Sequence, residues 1–236
     1  MESHFSRIQV QAVLDKGSWF AHLPFDIREG MLLHGRLRRL QDGEGLFNEG
    51  DACDGLYAVL QGTVLIRPEL AMAREKPVMV AAVESPNWFG EISVIDGLPR
   101  THDAVAQGDV VLWWLPGYLL EDWLDQQPVL WRYLAMLVSY KTRMAFKKIQ
   151  ALAAGTARTK VVQELLLLGS NYHGTENPDD AFGGRIALTQ KQLGALTGLS
   201  RQTINEVLHQ LQVDGSIALH KDFIEILSPQ KMRLMT

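Results

Sequence analysis

The stretch GEISVIDGLPRT, residues 90–101, contains an acid and a base at a spacing that suits a small polar ligand. Gly90 lets the backbone approach such a ligand closely because it has no side chain. Glu91 accepts hydrogen bonds when ionised, and Arg100 can hold an anion through a charge-assisted contact that the hydroxyl of Thr101 extends. The alternative is an ion pair between Glu91 and Arg100 that only holds a turn together.

The backbone after Gly90 favours ligand binding over a purely structural ion pair. Glu91, Ile92 and Ser93 are expected to open a short helical turn, and the free N–H groups at such a turn attract anions. The sequence therefore predicts an anion-binding pocket here.

A second stretch, LTQKQLGALTGLSRQTINEVLHQL (188–211), has the pattern of two short helices joined at a glycine. Thr189 and Gln192 form a capping box that starts the first helix. Gly198 stands at the turn, and Ser200 can cap the second helix. The segments SIAL and FIEIL that follow are typical of two strands. Together these signals predict a winged helix-turn-helix, with apolar residues at helical spacing in both helices: Leu193, Leu196, Ile204, Val207, Leu208 and Leu211.

The polar residues of this motif have the chemistry to bind DNA. The start of the second helix is the end that such helices insert into the major groove. There Arg suits guanine, Gln and Asn suit adenine, and Glu can accept from cytosine. The base-reading candidates are Arg201, Gln202, Asn205 and Glu206, and the phosphate-contact candidates are Gln190, Lys191 and Thr203, with the caps Thr189 and Ser200 in the same DNA-binding set. The alternative is a solvated polar face on a small helical domain.

The elements that must position these residues change character along the chain. Short amphipathic helices are expected within residues 3–34. From 36 to 115, short β-branched or aromatic segments alternate with Gly, Pro and Asp, which is typical of an antiparallel β-barrel or roll. Pro128 then opens a helix of about 25 residues, and a polar loop is expected at 170–184. The predicted class is α+β, with three parts: a sensor domain at 1–127, a long dimerisation helix and hinge at 128–155, and a winged helix-turn-helix at 156–236.

The long helix carries an apolar stripe. It consists of Leu130, Leu134, Leu137, Lys141 and Met144, at alternating spacings of four and three. A helix well beyond the average length of about 11–12 residues favours a seam against a second copy of the chain. Packing of the stripe on the chain's own β domain is the alternative, and the lysine within the stripe argues for the seam.

Composition narrows the class of protein. The chain has 236 residues, 47% of them hydrophobic, which is enough for two domains with buried cores. The single cysteine, Cys53, rules out a disulfide framework and a Cys-rich zinc or iron–sulfur site within one chain. Without a signal-like or membrane-spanning apolar run, a soluble cytoplasmic protein is expected. The net charge of −4 argues only weakly against nucleic acid. No P-loop, GxSxG, HExxH or dinucleotide motif occurs, so an enzyme is not expected.

The order of β-roll, long helix and winged helix-turn-helix resembles the Crp/Fnr family of bacterial transcription regulators. The segment LFNEGDACDGLYAVLQGTVLI (46–66) is similar to the strand pair of that family's cyclic-nucleotide-binding domain, and FGEISVIDGLPRT (89–101) to its phosphate-binding cassette. The resemblance implies a homodimer that binds a palindromic DNA site, contacts RNA polymerase, and responds to cyclic AMP or cyclic GMP. It also implies a role for each cassette residue: Arg100 and Thr101 hold the cyclic phosphate, Glu91 accepts from the ribose 2′-hydroxyl, and Gly90, Ile92 and Ser93 offer backbone.

Two departures from the family concern the ligand. His102 and Asp103 stand where the family usually has a small residue, and an acid there would weaken anion binding unless it points away. Family members that bind cyclic AMP offer adjacent Thr and Ser to the adenine, whereas this chain has Ala145 and Phe146 at the corresponding places. Thr142 is the nearest hydroxyl, about one turn earlier. Phe146 could stack on a base, which leaves the identity of the base open.

A third departure concerns DNA, and two rival functions remain open. Glu206 stands where the cyclic-AMP-receptor type has Arg, so the recognised half-site should differ. One rival is a family member without an effector, or one that senses gas or redox state through haem, with iron ligands from His34, His102 or His173. The sequence contains no haem-attachment motif. The other rival is a cyclic-nucleotide-binding module that acts without DNA, and the winged helix-turn-helix argues against it.

Overall fold

The computed structural model describes residues 5–68, 79–169, 184–221 and 223–235. These residues divide into two compact units. The first contains the described residues up to Tyr140 except Met79, and the second contains Met79 and the residues from Lys141 onward. The helix that contains Tyr140 and Lys141 belongs partly to each unit. Within the described ranges, no helix is both long and apolar enough to span a bilayer.

The first unit begins with three short helices and then becomes a β domain. Helix α1 (Arg7–Leu14) starts with a capping box formed by Ser6 and Gln9. Helices α2 (Ser18–Ala21) and α3 (Phe25–His34) follow it. The β domain contains β1 (Arg36–Leu40), β2 (Gly45–Phe47), β3 (Gly55–Arg67), β4 (Ala81–Glu84), β5 (Trp88–Phe89), the helix α4 (Glu91–Asp96) and β6 (Asp103–Pro116), and helix α5 (Gly117–Gln126) closes it.

The two long strands β3 and β6 organise the sheet. They run antiparallel, from the pair Gly55 and Pro116 at one end to Arg67 and Asp103 at the other. Strands β1 and β2 pair with β6, while β4 and β5 pair with β3, all antiparallel. The predicted antiparallel β architecture is therefore confirmed. Because β3 and β6 span the sheet, the loops at their ends bring together residues that are far apart in sequence.

Two apolar clusters form the core of the first unit. One lies within the β domain and is rich in aromatic and β-branched residues, among them Tyr57, Phe89 and Val110. The other joins the first helices to the sheet. In it Trp88 contacts Trp19 edge-on, with ring centroids 5.4 Å apart, and stacks on Phe20 at 6.0 Å. This second cluster also receives one face of the long helix.

That long helix, α6 (Val129–Ala154), has the predicted length, but the predicted seam is wrong for its first half. Leu130, Leu134 and Leu137 are 1%, 1% and 5% exposed and belong to the core of the first unit. They pack within their own chain because the N-terminal helices and the sheet offer them apolar surface. A different face of the helix is exposed.

The second unit contains the predicted helix-turn-helix and a small sheet. Helix α7 (Ala157–Gly169) precedes β7 (Arg185–Ile186), α8 (Gln190–Thr197), α9 (Arg201–Val213), β8 (Ile217–Leu219), β9 (Ile224–Ile226) and α10 (Pro229–Arg233). The three strands are ordered β7-β9-β8 and are antiparallel. Strand β7 has only two residues and was not predicted. Apart from Gly184, the predicted polar loop at 170–184 lies outside the described residues.

Candidate functional site

The backbone of the stretch 90–101 has the conformation that its glycines permit. Strand β5 ends at Phe89, and Gly90 takes a left-handed conformation with φ 89° before α4 begins. A Cβ atom on Gly90 would lie 2.8 Å from Nη1 of Arg100. Glycine is therefore required at this position both for the backbone angle and for space.

Arg100 is a buried cation at the centre of this site. Its side chain is 2% exposed, and its Nη2 donates to Oδ1 of Asp54 at 2.6 Å. The same nitrogen donates to the carbonyl of Gly55 at 2.7 Å, and Nη1 donates to the carbonyl of Gly90 at 2.9 Å. The guanidinium lies over the ring of Phe47, with its central carbon 4.3 Å from the ring centroid. The side chain is thus fixed in one place before any ligand arrives.

One nitrogen of the Arg100 guanidinium makes no hydrogen bond to the described residues. This nitrogen is Nε, and it is buried. A buried N–H without a partner is costly, and an acceptor that enters the site would remove that cost. Because the group is cationic, the acceptor that fits best is an anion such as a phosphate oxygen.

Asp54 connects this cation to a second group of side chains. Its Oδ2 accepts from the hydroxyl of Tyr57, through a very short hydrogen bond, and from Nη1 of Arg38 at 3.4 Å. Tyr57 is fully buried, and burial together with the hydrogen bond to Asp54 raises the pKa of its hydroxyl. Tyr57 therefore stays a neutral donor toward Asp54.

The other predicted cassette residues occupy different environments. Glu91 and Ser93 are each 3% exposed, and the Ser93 hydroxyl donates to the carbonyl of Pro99 at 3.3 Å. Ile92 is exposed on α4. Thr101 is exposed, and its hydroxyl is 2.9 Å from Nδ1 of His102. The structure thus brings Gly90 and Arg100 into direct contact, while the roles of Glu91, Ile92, Ser93 and Thr101 toward a ligand stay predictions.

Asp103, the acid close to Arg100 in sequence, has partners of its own. Its Oδ1 accepts from the backbone amide of Glu49 at 2.9 Å, and its Oδ2 lies 3.7 Å from Nε of Arg67. The side chain is 10% exposed. The concern that this acid weakens anion binding therefore applies more directly to Asp54, which already contacts the guanidinium.

Sequence reasoning did not find Asp54, Phe47, Tyr57 or Arg38 as parts of this site. Asp54 is 46 positions from Arg100. The two residues meet because the backbone of Arg100 pairs with the loop before β3, donating to the carbonyl of Asp51 and accepting from the amide of Gly50, both at 2.8 Å. No local pattern in the sequence indicates that pairing.

The predicted base-contact residues on α6 belong to the second unit. Thr142 is exposed, and Phe146 is 60% exposed. Their contact with a nucleotide base stays a prediction. Of the histidines considered for iron, His34 is exposed at the end of α3, His102 contacts Thr101, and His173 lies outside the described residues. Within the described part of the chain, no group of three or more His, Cys, Asp and Glu is arranged to hold a metal ion.

The helix-turn-helix forms as its caps predict. The Thr189 hydroxyl accepts from the amide of Gln192 at 3.3 Å, and the Gln192 side chain accepts from the Thr189 amide at 2.9 Å. Gly198 ends α8 in a left-handed conformation with φ 70°, and Ser200 caps α9 by accepting from the Thr203 amide at 3.1 Å. The apolar residues face inward, so the polar face of α9 is directed outward: Ile204, Val207, Leu208 and Leu211 are buried, as are Leu193 and Leu196.

All four predicted base-reading residues lie on the exposed side of α9. Arg201, Gln202, Asn205 and Glu206 are exposed. Nε2 of Gln202 donates to Oε1 of Glu206 at 3.0 Å. Gln190 of α8 is 3.5 Å from the Asn205 side chain. Of the phosphate-contact candidates, Lys191 is exposed and Thr203 is partly buried beside Ser200.

The wing carries charges of both signs. Strands β8 and β9 form the predicted antiparallel pair. His220 stacks on Phe223 with ring centroids 4.2 Å apart, and Glu225 lies 3.0 Å from His220 and 3.7 Å from Arg185. Phe223 also packs against the Arg185 guanidinium, 4.9 Å from its central carbon.

Comparison with known proteins places both regions in described families. Residues 37–127 match the family model of the cyclic nucleotide-binding domain, and residues 159–235 match the Crp-like helix-turn-helix domain. The cyclic AMP receptor protein of Thermus thermophilus is 30% identical over 194 residues, which cover 80% of this chain and 83% of that protein. A CRP-like cAMP-activated global transcriptional regulator of Mycobacterium tuberculosis is 26% identical over 194 residues, with the same coverage.

Similarity to solved structures agrees with the fold. The structure of FixK2 from Bradyrhizobium japonicum superposes with a TM-score of 0.71 at 19% identity, covering 85% of this chain and 96% of that one. At this identity the likeness shows the shared fold alone. The predicted α+β architecture, with a cyclic-nucleotide-binding type of β domain and a winged helix-turn-helix, is confirmed.

Proposed function

This chain belongs to the Crp family of transcription regulators, and we propose that it works as a homodimer whose binding to DNA is switched by a cyclic nucleotide. The family is one of DNA-binding regulators and not of enzymes. The nature of the effector, the dimer and the contact with RNA polymerase are the parts of this statement that are proposed.

The observation that carries the proposal is the buried guanidinium of Arg100 with its unpartnered Nε beside Gly90. A phosphate is the ligand group that suits a cation in this position, since it can accept from several guanidinium donors at once. The names of the two relatives refer to cyclic AMP. Cyclic AMP is therefore the first effector to test, and cyclic GMP the second because Ala145 and Phe146 replace the expected hydroxyl pair.

Asp54 has a part in this proposal as the internal competitor of the phosphate. It holds Arg100 at 2.6 Å while its own side chain remains 39% exposed. An incoming phosphate would meet the negative charge of Asp54 and would gain most if that contact loosened. Ligand binding would thus be coupled to movement at the start of β3. The segment would have two states, with Asp54 on Arg100 or away from it, and the ligand would favour the second.

The exposed face of α6 supports a homodimer. In the second unit, Thr142, Ala145, Ile149 and Leu152 are all exposed and follow each other at spacings of three, four and three. This is the spacing of the contact positions in a two-stranded coiled coil. A second copy of the chain would cover these residues, and two winged helix-turn-helix motifs would then suit a palindromic DNA site.

The test measures nucleotide and DNA binding on the same protein. Calorimetric titration with cyclic AMP and cyclic GMP should give saturable binding of one of them to the wild type. Arg100→Lys keeps the charge but loses the planar fork, so its affinity should fall at least tenfold, by analogy with other bidentate sites. Arg7→Ala, which removes an exposed pair with Glu29 on the helical segment, is the matched control and should bind normally.

Fluorescence anisotropy then measures DNA binding in the presence and in the absence of the nucleotide. The proposal expects tighter binding to a selected duplex when the effector is present. If neither nucleotide binds, the effector part is wrong and Arg100 is a structural residue. If the nucleotide binds but DNA affinity does not change, the switch is wrong.

A further inference from the structure

The hydrogen bond between Gln202 and Glu206 marks a feature of the DNA-facing surface. The two residues are one turn apart on α9, and Nε2 of Gln202 donates to Oε1 of Glu206 at 3.0 Å. Both are exposed, whereas Ile204, Val207 and Leu208 between and beside them are buried. The pair is therefore presented as a unit on the outward face of the helix.

Glu206 brings a negative charge to a surface that would approach an anionic ligand. From residue 156 onward the chain has eight Lys and Arg against eight Asp and Glu, so no general positive excess offsets this carboxylate. A carboxylate only accepts hydrogen bonds, and phosphates repel it. In the major groove the base donors are the amino groups of cytosine (N4) and adenine (N6), while guanine and thymine present oxygen acceptors. Glu206 can thus be accommodated only against cytosine or adenine.

Gln202 is oriented by this carboxylate. Because Glu206 only accepts, the atom of Gln202 that faces it must be the amide nitrogen. One N–H and the carbonyl oxygen of the Gln202 amide then remain free to point outward. That donor and acceptor pair matches N7 and N6 of adenine.

This inference rests on the proposed DNA-binding function. We propose that Gln202 and Glu206 read two neighbouring base pairs as one unit, with adenine recognised by Gln202 and cytosine by Glu206. Glu206 acts in two ways: it accepts from the cytosine amino group, and it fixes the amide of Gln202 in the orientation that adenine requires. Cytosine is assigned to Glu206 because adenine presents N7, an acceptor, next to its amino group, and N7 would oppose the carboxylate.

The experiment starts with selection of duplexes from a random pool by the wild-type protein, with and without cyclic nucleotide. Competition binding then measures the effect of every single base-pair substitution in the selected half-site. In the wild type, replacing the cytosine or the neighbouring adenine should weaken binding by about 5- to 150-fold each. The variants are Glu206→Ala and Gln202→Ala, and Lys191→Ala is the control.

The variants should differ in which positions lose their preference. Glu206→Ala should remove the preference for cytosine and also weaken the preference for adenine, because Gln202 loses its fixed orientation. Gln202→Ala should remove only the preference for adenine. Lys191→Ala should weaken binding to all sequences alike, since phosphate contacts carry no sequence information. Both pair residues are exposed, so the variants keep the folded structure.

Four outcomes would overturn either this inference or the proposed function on which it rests. Unchanged preferences in Glu206→Ala overturn the inference, as does a uniform gain in affinity for all duplexes, which would make Glu206 only a repulsive charge. Selection of a half-site without adjacent adenine and cytosine also overturns it, and leaves the proposed function intact. Failure of the wild type to select any duplex, with or without nucleotide, overturns the proposed function itself.

Discussion

Replacement of Asp54 by Asn tests whether the ion pair with Arg100 stabilises the first unit. The substitution keeps the shape of the side chain and an oxygen acceptor, but it removes the charge that faces a guanidinium only 2% exposed. The single oxygen of Asn can accept from Arg100, and its NH2 group then faces the Tyr57 hydroxyl, whose oxygen can accept from it. The effect measured is therefore mainly that of the charge.

The expected loss follows from the burial of the two partners. Breaking a fully buried ion pair costs about 3–5 kcal/mol, and a hydrogen bond to a charged group contributes about 1.5–3 kcal/mol. The Asp54 side chain is 39% exposed, so solvent screens one of the two charges. We therefore expect Asp54→Asn to lower the free energy of unfolding by about 2 kcal/mol. This corresponds to a melting temperature lower by about 6–10 °C.

The assay is urea unfolding followed by tryptophan fluorescence, with no nucleotide present. The control is Arg38→Gln, which removes the other guanidinium from Asp54, in a pair whose side chains are 35% and 39% exposed. Arg38→Gln should lower the free energy of unfolding by less than about 1 kcal/mol, as for ion pairs on the protein surface. Equal losses in the two variants, or a loss of under about 0.5 kcal/mol in Asp54→Asn, would refute the argument that burial of Arg100 makes the contact strong.

Two further predictions concern the second unit. Lys148 lies 3.1 Å from the buried carboxylate of Glu164, whose pKa is raised by burial and lowered in part by this lysine. Because burial raises the pKa of Glu164 in the folded protein, the folded state loses stability as pH rises above the ordinary Glu value of 4.5. Lys148→Met removes the nearby positive charge and should enlarge that loss. In urea unfolding, we expect Lys148→Met to lower the free energy of unfolding by close to zero at pH 4 and by about 2–3 kcal/mol at pH 7.5. Lys147→Met, at an exposed position, is the control. A loss of stability that does not change with pH would contradict this prediction. For the proposed homodimer, Ile149→Asp should weaken self-association in sedimentation equilibrium at least tenfold, since it would place a charge in the proposed apolar seam. Gln150→Asp on the adjacent face should not, and equal behaviour of the two variants would argue against this seam.

The sequence by itself determined the features that act within a few residues. Thr189 with Gln192, Gly198 and Ser200 specified the helix-turn-helix because caps and left-handed turns depend on the side chains and backbone of one short segment. The β segments punctuated by Gly, Pro and Asp and the long helix were predictable for the same reason. Gly90 and Arg100 were predicted as members of one ligand-binding motif because that motif is a single short stretch of sequence.

The partner of Arg100 was decided only by the tertiary structure. The local alternative was a pair between Arg100 and Glu91, yet the contact at 2.6 Å is made by Asp54 from a distant loop. A charged side chain pairs with whichever carboxylate the fold brings near it, and the fold here is set by the pairing of β3 with β6.

The tertiary structure alone also decided which face of α6 is buried within its own chain. The helix has apolar or small residues at spacings of three and four in two registers, one through Leu130, Leu134 and Leu137 and one through Thr142, Ala145 and Ile149. Periodicity alone cannot distinguish a helix face that packs on its own domain from a face that would pack on a second copy of the chain, because each would bury apolar surface. Only the position of the N-terminal helices and the sheet, which cover the first three leucines, made the distinction.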